Sequence, residues 1–199
     1  MIDKISVIDK VKVEPLTNPR FVEPLRLSYE DNGVAKSWEF VKVHDSVAVL
    51  IYNTDRDEFV IVKQFRPPIY LHNNDGYTYE LCAGILDKEK SEIETIGEEI
   101  EEETGFSPPP ERIERITSFY AAVGFAGSKQ TLFFARVRDS DRVGRGGGVD
   151  TENIEVVTIK RAEARAFIFD ETKAKTSGLA FAFMLFLEKE DNAVFGNGV

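Results

Sequence analysis

The densest chemistry in the sequence lies between Gly84 and Phe106, GILDKEKSEIETIGEEIEEETGF. On a helix, where residues advance by about 100° each, Glu99, Glu102 and Glu103 fall at i, i+3 and i+4. Three carboxylates at that spacing can converge on one ion. Hard cations such as Mg2+ take oxygen ligands, and a few carboxylates together with substrate phosphates satisfy them. Ala83-Gly84, just upstream, reads as the start of a loop whose backbone can approach a metal or a phosphate closely. Acidity alone decides little. Exposed like-charge pairs at this spacing cost only about 0.2–0.5 kcal/mol each, so a solvated acidic face is the ordinary alternative.

The elements that must position these groups follow from periodicity. Ser91 to Thr104 reads as a helix, with Ile93, Ile96, Gly97, Ile100 and Thr104 on its core face. Gly105 caps its end, and Pro108-Pro109-Pro110 keeps it from continuing. Val41 to Tyr52 and Glu58 to Phe65 read as a β-hairpin about the polar turn Asn53 to Asp57. A loop is expected from Pro67 to Gly76, then strands at Tyr77 to Cys82, Ile113 to Ala122, Thr131 to Val137 and Ile154 to Ile159. Arg161 to Phe169 and Ser177 to Lys189 read as helices. The run Arg142 to Gly148, RVGRGGG, reads as a mobile loop. Mixed strands with helices on their faces make the fold α+β or α/β.

A length of 199 residues suits one domain, or one domain with a short N-terminal extension. The expected division is an N-terminal β extension or dimerisation arm over 1–40, a catalytic domain over 41–190 and a tail over 191–199. The net charge of −10 argues against a nucleic-acid backbone as the main partner, which needs a basic surface. A small phosphorylated ligand, held by an arginine and a metal, is compatible with it. The single cysteine, Cys82, excludes an intramolecular disulfide and a cysteine-rich zinc site, and His44 and His72 are too far apart to suggest one. The N-terminus lacks a signal-peptide core, and the apolar run Leu179 to Leu187 is far short of the ~20 residues that span a bilayer. These features favour the cytoplasm and no membrane partner.

The stretch resembles the Nudix box: Gly, five residues, Glu, seven residues, then Arg-Glu-apolar-x-Glu-Glu-x-Gly-apolar. Gly84, Glu99, Ile100, Glu102, Glu103, Gly105 and Phe106 fall in register. Two positions depart, Lys90 standing for the Glu and Glu98 for the Arg. In the family those two side chains typically pair, so a sign-swapped Lys90–Glu98 pair is one reading; Glu89 filling the Glu role in a shifted loop is the other.

A second resemblance is ordered along residues 36 to 157 and is similar to the UDP-sugar diphosphatase branch, close to the ADP-ribose pyrophosphatases. It is carried by Lys36-Ser37-Trp38-Glu39, His44 to Val47, Val62 to Pro67, Glu80 to Asp87, Val123-Gly124, Gly127 to Thr131, Gly146 to Gly148 and Ile154 to Val157. It implies a Nudix α/β/α sandwich with a mixed sheet, usually dimeric through N-terminal strands. It also implies hydrolysis of the pyrophosphate bond of a nucleoside diphosphate sugar, UDP-glucose giving UMP and glucose 1-phosphate. Two other readings stay open: an ADP-ribose pyrophosphatase, and a nucleotide-sugar binding module impaired at Glu98 and Lys90.

By position in this resemblance, the implied cofactor is Mg2+, with Mn2+ as the alternative. Its ligands would be Glu99, Glu103, Glu102 and the Ala83 carbonyl. Glu152, two residues before Ile154-Glu155-Val156, takes the place of the general base, with Asp150 as its substitute. Arg66 is the candidate phosphate contact, since a guanidinium binds two oxygens at once; a surface salt bridge is its plain alternative. Trp38 would stack on the base or sit in the core. Glu80 would orient the metal ligands or meet the sugar, and Gly127, Ser128 and Lys129 lie on a loop that meets substrate. Cys82 reads as a buried small residue.

Overall fold

The structure is a computed structural model that describes residues 8–19, 22–87, 89–149 and 152–191. Residues 1–7, Asp150 and nearly all of the tail therefore lie outside the described residues.

Apolar alternation in the middle of the chain builds a seven-stranded mixed sheet. Its central strand is β3 (Ser46–Asn53), parallel to β8 (Ser128–Val137), which pairs antiparallel with β7 (Ile113–Ala121). On the other side β3 divides its pairing. Ile51–Asn53 face β4 (Glu58–Phe65), while Ser46–Val49 face β6 (Cys82–Ile85). β4 divides likewise, taking β5 (Tyr77–Glu80) along Val62–Phe65 and β9 (Ile154–Lys160) along its other edge. β3 and β4 thus diverge, and the chain from Tyr77 to Ile85 crosses the gap between them.

Both faces of the sheet are covered. Val47, Val49, Ile51, Val60 and Val62 pack under Ile96 of helix α2 (Glu92–Glu99) and Ile100 just beyond it. Ala48, Leu50, Phe59 and Ile61 point the opposite way. They meet Ala164 of α3 (Arg161–Phe169) and Leu179, Phe183 and Phe186 of α4 (Ser177–Asp191). This is the expected α/β/α sandwich. The fifteen aromatic-rich residues of α4 anchor it through Phe183 stacked on Phe59 and Phe186 edge-on to the same ring.

The N-terminal strands stand apart. β1 (Glu23–Asp31) and β2 (Val34–Lys42) form a separate two-stranded antiparallel sheet with most side chains exposed.

Three local expectations are corrected. The segment after Arg66 holds a short helix, α1 (Pro67–Asn73), whose two prolines occupy the first turn, where no N–H partner is required. Ala83 and Gly84 lie within β6 and not in a loop, because the lower half of β3 is open to pair with them. The carboxylate helix is α-helical only to Glu99 and widens to a π turn over Ile100–Thr104. The glycine run, read as a mobile loop, makes backbone hydrogen bonds to the end of that helix, given below.

Candidate active site

One end of the sheet collects nearly every candidate. β3 starts there, so antiparallel β4 and β6 end there, and β8 and β9 begin there.

The carboxylate helix is set by local signals. Ser91 caps α2 by accepting from the Glu94 N–H, and Glu94 returns a bond to the Ser91 N–H, a reciprocal capping box. Ile96, Ile100 and Thr104 are fully buried, which fixes the helix's rotation. The Thr104 hydroxyl donates to the Ile100 carbonyl at 2.5 Å, inside the π turn. Such widened turns recur at functional sites because they displace side chains from α-helical register. Around this turn the three glutamates meet different surroundings. Glu103 turns inward, 5% exposed, and its carboxylate accepts the Ala83 N–H at 3.1 Å. Glu99 lies over Gly84, so closely that a Cβ on Gly84 would collide with its carboxylate. Glu102 is exposed, and its charge acts on Lys90.

Burial pushes the Glu103 carboxyl up to about 7. Hydrogen bonds from the Cys82 thiol and the Ala83 N–H pull it back, while the charges of Glu99 and Glu152 push it further up. Cys82 is fully buried, and burial holds its thiol well above the ordinary value. It is therefore a protonated donor to Glu103 and no nucleophile. Among the described residues no three His, Cys, Asp or Glu side chains stand gathered as a ready-made cation site. The donor chemistry nonetheless suits a divalent cation: a buried carboxylate with two more acting on it is destabilised by like charge, which a cation reverses.

The β4–β9 ladder ends where Gln64 pairs with Ile154, two residues short of both Arg66 and Glu152, and the Glu152 charge acts on the Arg66 guanidinium. The charges of Glu80, Glu103 and Glu152 all raise the Arg66 guanidinium, the Glu80 hydrogen bond most. Glu80, 8% exposed, accepts from Arg66 Nε at 2.9 Å and Nη2 at 2.7 Å. Gln64 Nε2 donates to the same carboxylate at 3.3 Å, and the Thr78 hydroxyl donates to it as well. Gln64 and Thr78 join the group without standing out by type in the sequence. Strand alternation holds their signal: Gln64 and Arg66 share one face of β4's line, Thr78 and Glu80 one face of β5, with Gln64 opposite Thr78.

The remaining candidates flank this group. Asp45 joins the exit of β6 to the entrance of β8: its carbonyl accepts the Leu86 N–H, and its carboxylate accepts the Lys129 N–H at 2.8 Å. Gly127, Ser128 and Lys129 therefore sit at the same sheet end, beside the loop that leads to the carboxylate helix. Trp38 is not a core residue. It lies on β2, 55% exposed, and its indole N–H donates to the Gly124 carbonyl at 3.0 Å. Asp150 lies outside the described residues. Lys90 and Glu98 do pair, with Nζ 2.6 Å from each carboxylate oxygen.

Residues 42–176 match the NUDIX domain family. The chain is similar to the uridine diphosphate glucose pyrophosphatase NUDT14 of Bos taurus, 37% identical over 90% of this chain and 94% of the relative. The Mus musculus protein of the same name is 34% identical over 92% and 95%. A GDP-mannose pyrophosphatase of Cronobacter sakazakii is 36% identical over 60% of this chain and 62% of its own.

Proposed function

The chain belongs to the Nudix family, and from that premise we propose that it hydrolyses the pyrophosphate bond of a nucleoside diphosphate sugar, UDP-glucose foremost, to UMP and glucose 1-phosphate. The observation that carries this reading is the placement, at one end of the sheet with Arg66, of Glu103 on the Ala83 N–H, Glu99 over Gly84 and Glu152 just ahead of β9. That is a set of oxygen donors beside a guanidinium, complementary to a metal-bound pyrophosphate. Similarity to UDP-glucose pyrophosphatases over nine-tenths of the chain supports the choice of sugar nucleotide.

Water would attack one phosphorus, a new P–O bond forming as the bridging P–O bond breaks, with the second phosphate leaving. Glu152 would take the proton from the attacking water. Arg66, anchored by Glu80, would hold phosphate oxygens with the part of its guanidinium that Glu80 does not use. Glu99, Glu103, Glu102 and the Ala83 carbonyl would hold Mg2+, or Mn2+ in its place. Ala83 supports that assignment: its N–H leaves the ladder for Glu103, and in an antiparallel strand one residue's N–H and C=O project to the same edge. A bound divalent cation supplies a lowered water pKa and neutralises charge on the phosphate oxygens. Cys82 would keep the Glu103 carboxylate aimed through its thiol hydrogen bond. Trp38, and the loop from Gly127 to Lys129, would meet the nucleoside or sugar.

The same reading extends to a homodimer through the β1–β2 sheet, whose exposed Leu25, Leu27 and Trp38 suit a second copy, and to a cytoplasmic location. Among the described residues no helix is long and apolar enough to cross a membrane. Sedimentation of the purified protein decides the dimer.

Incubation with UDP-glucose, GDP-mannose and ADP-ribose, each with Mg2+ or with chelator, tests the activity. UMP and glucose 1-phosphate released only with metal, and lost in Glu103→Gln, is the expected result. Faster AMP release would transfer the assignment to ADP-ribose, and absence of any nucleoside monophosphate would end the hydrolase reading.

A further inference from the structure

The π turn that carries Glu102 and Glu103 is followed closely by a second segment of the chain. A helix end leaves its last carbonyls without intrahelical partners. Here residues 141–148 supply them. Gly147 N–H donates to the Glu103 carbonyl at 2.8 Å, and Gly148 N–H to the Glu102 carbonyl at 3.0 Å. Val143 and Gly144 both donate to the Gly105 carbonyl, at 2.9 and 3.1 Å, and Ser107 N–H donates to the Asp141 carbonyl at 2.9 Å. Arg142 lies over the Phe106 ring at 4.4 Å and extends the contact outward.

Gly146 explains the composition. Its φ is +70°, and a Cβ there would run into the backbone of Glu103 and Thr104. The glycines permit close backbone approach at this point. Beyond them the chain turns back on itself. The Gly147 carbonyl accepts the Ile154 N–H at 3.2 Å, and Val149 and Glu152 bond each other through Val149 O to Glu152 N–H and Val149 N–H to the Glu152 carboxylate, both at 3.0 Å. Glu152 is thereby tied to Gly147, and Gly147 to Glu103.

We propose that residues 141–148 form a fixed backbone strut that registers Glu152 on the carboxylate helix before substrate arrives. The loop is not a lid that brings Glu152 in on binding. Gly146, Gly147 and Gly148 are positioning residues: they touch no substrate and act through Glu152. The inference rests on the reading of Glu152 as the base, and two separate measurements keep the two apart.

The first is amide hydrogen exchange on the ligand-free full-length protein. The strut requires the Gly147 and Gly148 amides to be protected like those of β9. Exchange at the free-chain rate, slowed only when UMP is added, would overturn it whatever Glu152 does. The second measurement is kinetic. Gly146→Ala is expected to lower kcat by about ten- to a hundredfold with KM little changed, the size of effect expected of a misplaced group. In a Glu152→Gln background the same substitution should cost nothing more, because its effect runs through that carboxylate. A fully additive loss would overturn the strut's role. If Gly146→Ala does not fold, Gly147→Ala replaces it, since a Cβ there meets only the Ile154 carbonyl at 3.5 Å and strains φ alone. Unchanged kcat in Glu152→Gln would sink the base assignment and with it the catalytic role of the strut, while the exchange result would still report on the strut itself.

Discussion

Lys90 and Glu98 join the loop before the carboxylate helix to that helix's last α-helical turn, with Lys90 Nζ 2.6 Å from both oxygens of Glu98. The signs are opposite to those of the Nudix pattern at both positions. Glu98's hydrogen bond is the main cause that raises the Lys90 ammonium, and Glu102 and Glu94 add to it. Those three carboxylates recur every four residues, so one ammonium serves a whole acidic stripe. Lys90→Glu would leave the stripe unbalanced and add a fourth charge. We expect a few-fold loss of kcat/KM and a higher Mg2+ requirement. Lys90→Glu with Glu98→Arg, which restores the family's arrangement, should recover both. A silent single variant would deny the pair any part in setting the helix.

Glu103 sets stability against activity. Its carboxyl is raised by burial from 4.5 to about 7 in the folded chain. A raised folded pKa means that its contribution is fully present below the unfolded value near 4.5 and is lost as pH rises through about 7. In chelator the wild-type chain should therefore forfeit about 3 kcal/mol across that window, at about 1.4 kcal/mol per pH unit. Glu103→Gln does not titrate. Its melting temperature should match wild type near pH 4 and exceed it at pH 8, while kcat in Mg2+ falls at least about a hundredfold. Melting curves for the two chains that stay parallel from pH 4 to 8 would contradict the buried-charge account.

Much of this site could be read from residue types alone. Ser91 and Glu94 announce the start of α2, and Ile96 and Ile100 its core face, because capping and periodicity are local rules. The parts that could not be read depend on a partner elsewhere in the chain. Glu102 falls in register with both Glu99 and Glu98 on a helix, and its part in the Lys90 stripe depends on where the preceding loop places that ammonium. RVGRGGG has the composition of a mobile loop, yet glycine also permits close backbone contact, and the choice depends on the Glu102 and Glu103 carbonyls. Pro67-Pro68 looks like a break but starts a helix, and α1 buries no side chain that would have left an apolar stripe to find. Trp38 has core composition on a two-stranded sheet with little core to join.

Arg112 and Asp141 give an acid-side test of the strut's anchor. Arg112 Nη1 and Nη2 each donate to one oxygen of Asp141 at 2.7 Å, and the Arg138 N–H donates to the same carboxylate. The Arg112 hydrogen bond holds the Asp141 carboxyl below its ordinary 3.8. A lowered folded pKa contributes stability above the unfolded value and loses it as pH falls through the folded one. Asp141→Asn should cost roughly 1.5–3 kcal/mol at neutral pH, the range for hydrogen bonds to charged groups. Urea unfolding should show that gap constant above about pH 5 and closing below the unfolded value. A gap that persists in acid would assign the loss to packing.

Arg66 serves two roles that one substitution confuses and two can separate. Glu80 is buried and accepts from Arg66 through Nε and Nη2, with Gln64 and Thr78 completing its shell. Arg66→Ala leaves that carboxylate without its cation. Breaking a fully buried pair costs about 3–5 kcal/mol. The Arg66 side chain is 47% exposed, so solvent screens part of this and about 1–3 kcal/mol is expected. Loss of the phosphate contact should separately lower kcat/KM by about ten- to a hundredfold, as expected of a charge-assisted pair. Adding Glu80→Gln removes the stranded charge, since an amide can still accept from Thr78. Stability should then return while kcat/KM stays low. Recovery of both would make Arg66 a structural counter-ion of Glu80 and take it out of the substrate site. A single variant that unfolds earlier in urea yet keeps its kcat/KM would lead to the same conclusion from the other side.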